Sequence, residues 1–353
     1  MSKVKKSVKS KSKKNELIKR VTTAIILLVV VILLILPASY VNFGSQAQTN
    51  LDNYNNTFIK YDYFFISIIG LLLAYIIFEI VNFTSPFKDD KTIFWVNLIF
   101  LEIIFIIIYV FIAYYFIRDY NPIWAKPNDQ IQDFGYNNQI NNLLIYLISF
   151  SFIYLLINVG FDNEIKDSII NLTVSVLAFA FVLSILFLTI VFGFTVILML
   201  ILTTAFVDTF AYFGGKLFGN QKIFVNASPN KTFNGFLIGL LAGFLFFIFF
   251  YFTFVANMES SNLYWLNDEN FLQIDSNTAY LISNLNLKIS ALMIVVIIIS
   301  PFADAFFSKI KRNFNKKDFA NILPGHGGVL DRLDSHIFTY TIFSFGLLFI
   351  VFI

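Results

Sequence analysis

From Ser168 to Val207 the chain runs for forty residues without one charged side chain. A membrane-spanning helix needs about 20 apolar residues, with a range of about 17 to 25. The run is therefore too long for one crossing and suits two, joined by a tight turn near Val191 to Gly193. Seven further apolar runs accompany these two, so the chain carries nine in all. They lie at about 21–39, 62–82, 94–117, 143–160, 169–188, 190–212, 234–256, 285–303 and 336–353. Over 353 residues the hydrophobic share is 58%, the charged share 13% and the mean hydropathy +0.75. Soluble domains carry roughly 25% charged residues. The expected fold class is thus all-α: a polytopic integral protein of the cell membrane, embedded in the lipid bilayer with about nine transmembrane helices.

Charge orients it. The first twenty residues hold nine Lys or Arg against the single acid Glu16, so the rest of the chain, with sixteen bases and twenty-one acids, nets −5. Residues 1–20 read as a basic, disordered tail near anionic headgroups, not as a nucleic-acid arm, because an apolar run follows at once. Basic loops stay inside, which places the N-terminus in the cytoplasm. The later loops agree: the expected outside loop 257–278 has four acids and no Lys or Arg, while Lys216, Lys222, Lys231, Lys309, Lys311, Arg312, Lys316, Lys317 and Arg332 fall inside. The loop 161–168, with one Lys and three acids, fits this less well. We divide the chain into the tail, N-terminal membrane helices over 21–160 and a C-terminal catalytic membrane region over 161–353.

The chain has no cysteine and only two histidines, His326 and His336. Disulfides, thiolate nucleophiles, Cys-ligated zinc and histidine-rich metal sites are excluded. Chemistry must rest on carboxylates and bases, and these gather at the cytoplasmic ends of the last four spans. Asp208 lies about one turn inside the expected end of its span, where a carboxylate is costly unless it meets a cation or a polar cavity. The following GGKLFG reads as a flexible basic turn whose backbone N–H groups suit phosphate, a weak signal by itself. Asp304 sits where the eighth span meets the cytoplasm, with Ser308 at i+4 and Lys311 at i+7 on nearly one stripe. Pro301 is positioned to kink that helix. Asp331, Asp334 and Ser335 share a face if the last helix begins near Leu330, next to its positive end. Simple N-capping accounts for one of these acids, but not for both together with Arg332 and the preceding GHGG.

Clustered carboxylates without Cys or His suit a hard cation such as Mg²⁺, which shares its shell with substrate phosphates. Neighbouring lysines and arginines suit the phosphates themselves. The residues alone point to metal-assisted phosphoryl or nucleotidyl transfer at the cytoplasmic surface of a membrane.

In this region the sequence resembles the phosphatidate cytidylyltransferase family, the CDP-diacylglycerol synthases. The family's C-terminal signature is matched over 308–335 by Ser308, Lys311, Arg312, Lys317, Asp318, Pro324, His326, Gly327, Gly328, Asp331, Arg332 and Asp334. DTFAYFGGKLFG from Asp208 and SPNKTFNG from Ser228 resemble two further family blocks, so the likeness runs from about Thr203 to the C-terminus. Asn234 stands where the family usually has Glu, Phe307 where an acid commonly precedes the Ser, and Ala303 and Ala305 flank Asp304 in place of Gly and Leu.

The resemblance implies that CTP and phosphatidate give CDP-diacylglycerol and diphosphate in phospholipid biosynthesis. It implies catalytic roles for Asp304, Asp331, Lys311 and Arg312, with metal at Asp304, Asp331 and Asp208. Asp208, Ser228, Lys231, Ser308, Lys317, His326, Gly327, Gly328 and Arg332 are the expected substrate contacts. Mg²⁺ is the expected cofactor, with K⁺ as a candidate companion and a homodimer as a candidate assembly; nucleic acid is not an expected partner. The rival readings are a CTP-dependent, prenol-type lipid kinase and a non-catalytic transporter.

Overall fold

The computed structural model describes residues 58–84, 91–118, 149, 151, 153–155, 165–192, 194–225, 227–229, 231–255, 278–320 and 327–352. The basic tail, the runs at 21–39 and most of 143–160, the loop 257–278 except its last residue, and Pro324, Gly325 and His326 lie outside these residues. Seven helices are described: α1 (Phe58–Thr84), α2 (Lys91–Arg118), α3 (Ile165–Phe192), α4 (Phe194–Phe218), α5 (Phe233–Phe250), α6 (Thr278–Asn313) and α7 (Leu330–Phe352). Helix α5 continues into a π-helical turn, Tyr251–Val255. Among the described residues, five segments are long and apolar enough to cross a membrane: Phe65–Thr84, Lys166–Thr189, Thr195–Phe218, Phe233–Phe254 and Leu287–Asn313. The uncharged forty-residue run does divide in two, α3 ending at Phe192 and α4 starting at Phe194.

Two helices run further than the apolar pattern indicates. Helix α4 continues through Gly214, Gly215 and Lys216 to Phe218, so GGKLF is helical and not a flexible turn. The cause is packing against α5. A Cβ on Gly214 would meet Ile238 at 2.8 Å, and one on Gly235 would meet the Ala211 carbonyl at 2.5 Å and the Gly215 backbone at 2.8 Å. Glycine here removes bulk so that two helices can approach, the usual device where lipid supplies no hydrophobic drive between them. Helix α6 likewise passes through Pro301 to Asn313. Asp208 and Asp304 therefore lie within their helices, well before the ends.

Backbone groups inside the helices are satisfied locally, and hydroxyls in the apolar runs donate back to carbonyls one turn earlier, as lipid demands. Ser184 bonds the Ala180 carbonyl at 2.8 Å, Thr189 that of Ile185 at 2.8 Å, and Thr204 that of Leu200 at 3.0 Å. Across helices, Thr84 donates to Asn171 and so ties α1 to α3. Tyr340 donates to the Ile197 carbonyl at 3.1 Å, tying α7 to α4. The core between them is mainly apolar: Ile76, Ile77 and Ile80 of α1, Val174 and Val182 of α3, and Ile337 of α7 have no exposed surface.

The chain between α4 and α5 folds back on itself. Lys222 pairs with Thr232 in an isolated antiparallel bridge, and Ile223 N–H donates to the Lys231 carbonyl at 3.0 Å. Phe224, at φ 56°, starts the turn and sets its ring edge-on to Phe302 of α6, centroids 5.2 Å apart. Thr232 then caps α5, its hydroxyl accepting from Gly235 N–H at 3.3 Å. This loop is what carries Lys231 to the middle of α6.

Candidate active site

The carboxylates and bases expected from the sequence meet as an alternating chain. Lys231 Nζ lies 2.5 Å from Asp304 Oδ2 and donates to the Pro301 carbonyl at 3.2 Å. Ser308 donates to the other oxygen of Asp304 at 3.3 Å, as the i,i+4 spacing anticipates. One turn of α6 further on, Lys311 Nζ is 2.8 Å from Asp331 Oδ1 and 3.9 Å from Asp334 Oδ2. Asp208 hydrogen-bonds Ser335, lies in the fields of Lys231 and Asp304, and keeps accessible surface. Residues from α4, the α4–α5 loop, α6 and α7 thus converge, although about 130 positions separate the first from the last.

The two ion pairs differ in setting. Lys231 and Asp304 keep about a quarter of their side-chain surface exposed, while Lys311 and Asp331 keep 10% and 4%. A partly exposed lysine can exchange its carboxylate for another anion cheaply, whereas a buried pair resists separation because each charge would be left desolvated. Asp331 is held further by two backbone donors to Oδ2, Phe319 N–H and Gly328 N–H, both at 2.8 Å. Asp331 thereby ties Lys311 to the backbone of Phe319 and Gly328.

Asp334 precedes the apolar run that begins at His336. Its burial pushes the carboxyl well above the usual carboxylate range, and the negative charge of Asp304 adds to this, with Asp208 contributing and Lys311 opposing. Asp208, Asp304, Asp331 and Asp334 thus share one electrostatic field in which four carboxylates face the two ammonium groups of Lys231 and Lys311. A divalent cation would relieve it. Among the described residues no group of three His, Asp or Glu side chains forms a metal cage by itself. Oxygen-only donors in a common field, short of a full cage, suit a Mg²⁺ ion that takes one or two protein carboxylates and completes its shell with phosphate and water.

The other sequence candidates are distributed as follows. Arg312, Lys317 and Arg332 are exposed at the rim, Arg312 donating to the Lys316 carbonyl at 3.4 Å. Ser228 shapes the turn: its N–H donates to the Phe224 carbonyl at 2.8 Å and its carbonyl accepts from Lys231 N–H at 3.2 Å. Gly327 and Gly328 are buried, and the groups pressing on them are carboxylates of the protein. Gly327 has φ +82°, and a Cβ there would lie 2.7 Å from Asp331 Oδ2; one on Gly328 would lie 1.7 Å from Glu79 Oε1. His326 falls outside the described residues.

Both family departures acquire a local reason. Asn234 donates its amide to the Phe218 carbonyl at 2.6 Å, closing the C-terminal end of α4; a glutamate has no donor for that bond. Phe307 has no exposed surface and lies edge-on to Phe319 and Phe338, with centroids 6.1 Å and 6.0 Å away. An acid at 307 would be desolvated in an aromatic cluster.

One participant belongs to no motif. Glu79 of α1 is 1% exposed, and its Oε2 accepts from Val329 N–H at 3.0 Å and Leu330 N–H at 3.2 Å, at the entry to α7. Around it, Phe83 packs against Phe319 with centroids 4.6 Å apart, and Lys316 donates to the Phe83 carbonyl at 2.6 Å. The signature thus leans on a helix that lies outside the stretch, from about Thr203 to the C-terminus, over which the sequence resembles the family. The single clue was the acid itself, a lone Glu in an apolar run.

Comparison with known proteins agrees with this layout. A phosphatidate cytidylyltransferase of Rickettsia conorii is 38% identical over 133 residues, covering 38% of this chain and 49% of the relative. One from Thermotoga maritima is 34% identical over 141 residues (40% and 44%), and one from Staphylococcus haemolyticus 36% identical over 140 (37% and 40%). The chain spans about half the length of the curated relatives it matches. The model of the cytidylyltransferase family matches residues 56–350. That match takes in the α1 residues that hold the signature loop as well as the signature, and the chain belongs to the cytidylyltransferase family.

Proposed function

We infer that the chain is a phosphatidate cytidylyltransferase, joining CTP and phosphatidate into CDP-diacylglycerol with release of diphosphate at the cytoplasmic face of the cell membrane. The observation that carries the reading is the alternation of Lys231, Asp304, Lys311 and Asp331 at one place, flanked by Asp208 and Asp334. Such a site can receive several phosphate oxygens and a hard cation together. The family and the names of the relatives supply the substrate class.

The phosphate of phosphatidate is already an anionic oxygen nucleophile, so no activated Ser or Cys is required. One of its oxygens forms a bond to the α-phosphorus of CTP while the bond from that phosphorus to the β-bridging oxygen breaks, and the electron pair leaves with diphosphate. The protein's task is alignment and neutralisation of crowded negative charge. Lys231, a quarter exposed, turns from Asp304 toward a phosphate oxygen, freeing that carboxylate for the cation. Lys311, anchored by Asp331, presents a fixed positive charge, and Arg312, Lys317 and Arg332 receive outer phosphates at the rim. Asp208 and Asp304, with Asp334 beside them, would hold Mg²⁺, which supplies charge neutralisation for the departing diphosphate. Asp331 serves the site through Lys311 and the loop.

The test is incubation of the purified full chain with Mg²⁺, phosphatidate and CTP labelled at the α or γ position. Label from α-labelled CTP is expected in lipid. Label from γ-labelled CTP in lipid would instead establish a lipid kinase, and no label in lipid from either would leave a non-catalytic membrane protein.

A further inference from the structure

Helix α7 begins without a cap of its own. Arg332 and Leu333 both donate to the Val329 carbonyl, at 2.9 and 3.2 Å, which makes Val329 the capping position. Valine offers no side-chain acceptor, so the first N–H groups of the helix need one from elsewhere. Asp331 reaches back only to Gly328 and across to Phe319. The N–H groups of Val329 and Leu330 are received by Glu79, 250 and 251 positions away in sequence. In a capping box this work is done by an acid three residues into the same helix; here another helix provides it. A carboxylate within an apolar span is costly, and the positive end of α7 offsets only part of that cost. Oε1 of Glu79 has no hydrogen-bond partner and occupies the place a side chain at 328 would take. So costly a group, for which the loop keeps a glycine, has a larger task than closing a helix.

We propose that Glu79 is a positioning residue for the transfer site: it fixes the backbone of Gly328 to Leu330, and with it Asp331, whose carboxylate holds Lys311 where substrate phosphate arrives. The proposal rests on the cytidylyltransferase reading. The linkage is continuous: Glu79 to Val329 and Leu330, Asp331 to Gly328 and Phe319, and Asp331 to Lys311 at 2.8 Å. Phe83, one turn beyond Glu79 on α1, grips the other flank of the loop through Phe319 and Phe314. The C-terminal end of α1 therefore clasps both sides of the signature while Glu79 itself touches no reacting atom.

The experiment uses the full chain in lipid nanodiscs with Glu79→Ala and Glu79→Asp, each also in an Asp331→Asn background. It reads kcat, KM for CTP, and amide exchange over residues 327–333. Glu79→Ala is expected to lower kcat about 10- to 100-fold, as loss of a supporting contact commonly does, to change KM less, and to speed exchange at Val329 and Leu330. Once Asp331 is Asn, the same change is expected to cost little more, because both act through one linkage. Wild-type kcat in Glu79→Ala, or losses that simply multiply in the double variant, would overturn the proposal. If Glu79→Ala does not fold, Glu79→Asp, shorter by one methylene, decides by the same criteria. A wild-type chain that transfers no label refutes the enzymatic reading separately. Exchange at Val329 and Leu330 then still decides the placement: acceleration in the variants supports it and unchanged exchange refutes it.

Discussion

Lys231 sets its ammonium 2.5 Å from Asp304 Oδ2, joining the loop after α4 to the interior of α6. The pair keeps enough exposed surface for either partner to exchange the other for a ligand, which makes Lys231 the most readily mobilised charge in the site. Lys231→Ala is expected to reduce cytidylyl transfer about 100-fold or more, in line with the loss of one preorganised donor to developing charge. Because the pair is partly solvated, the thermal midpoint should change little. Steady-state rates alongside a melting curve separate the two effects; a large fall in the midpoint with a normal rate would contradict this assignment.

Lys311 and Asp331 form the buried counterpart. Asp331→Asn leaves the Lys311 charge without its near partner and is expected to destabilise the chain by roughly 3 kcal/mol or more, besides lowering activity steeply to a level that is still measurable. Replacing both, as Lys311→Met with Asp331→Asn, should recover part of the stability and none of the activity. Equal melting behaviour of the single and double variants would show that the pair carries no such coupling.

Asp334 shares the field of Asp304 and Asp208. With chelator present, Asp334→Asn is expected to raise the melting temperature, since it removes one of three mutually repelling charges. With Mg²⁺ present the gain should disappear, because the ion already offsets that repulsion. The sign of the pH effect follows: a carboxyl raised in the folded chain binds its proton more readily there than when unfolded. The metal-free wild type should therefore gain stability as pH falls from neutral toward the ordinary carboxylate range, and this gain should be smaller in Asp334→Asn. Melting scans with and without Mg²⁺ at two pH values check all three signs.

Removal of the divalent ion is expected to abolish label transfer to lipid and to restore it on adding Mg²⁺ back. Full activity in excess chelator would exclude Asp208 and Asp304 as metal carboxylates.

Gly235 sits where α5 meets α4, against the Ala211 carbonyl and the Gly215 backbone. Gly235→Leu should force the two helices apart, lower the melting temperature and cut activity, since Asp208 lies on one side of the seam and Lys231 just before the other. A Leu variant with wild-type melting and rate would mean the seam does not set the site.

The helices were legible because lipid leaves the backbone few options, so uninterrupted apolar runs announce them directly. Their ends were less so. Gly214, Gly215 and Lys216 look like a turn by composition, and only the close approach of α5 keeps them helical. Among site residues, Asp304 with Ser308 followed from helical spacing. The partners of each lysine did not, because ion pairs between helices carry no sequence period. Asn234 and Phe307 stood out in the sequence only as departures from the family pattern; their contacts, a carbonyl and an aromatic cluster, belong to the fold.

By itself the sequence determined that this is a helical membrane chain whose chemistry rests on carboxylates and bases near its C-terminal spans, and that its motifs resemble those of CDP-diacylglycerol synthases. Composition and local spacing suffice for that, since both act over a few turns of chain. Tertiary structure decided which charges face which: Lys231 with Asp304, Lys311 with Asp331, and Glu79 with the entry to α7. Those choices depend on helix packing across as many as 251 positions, where no local pattern reaches and where burial sets the cost of leaving any charge alone.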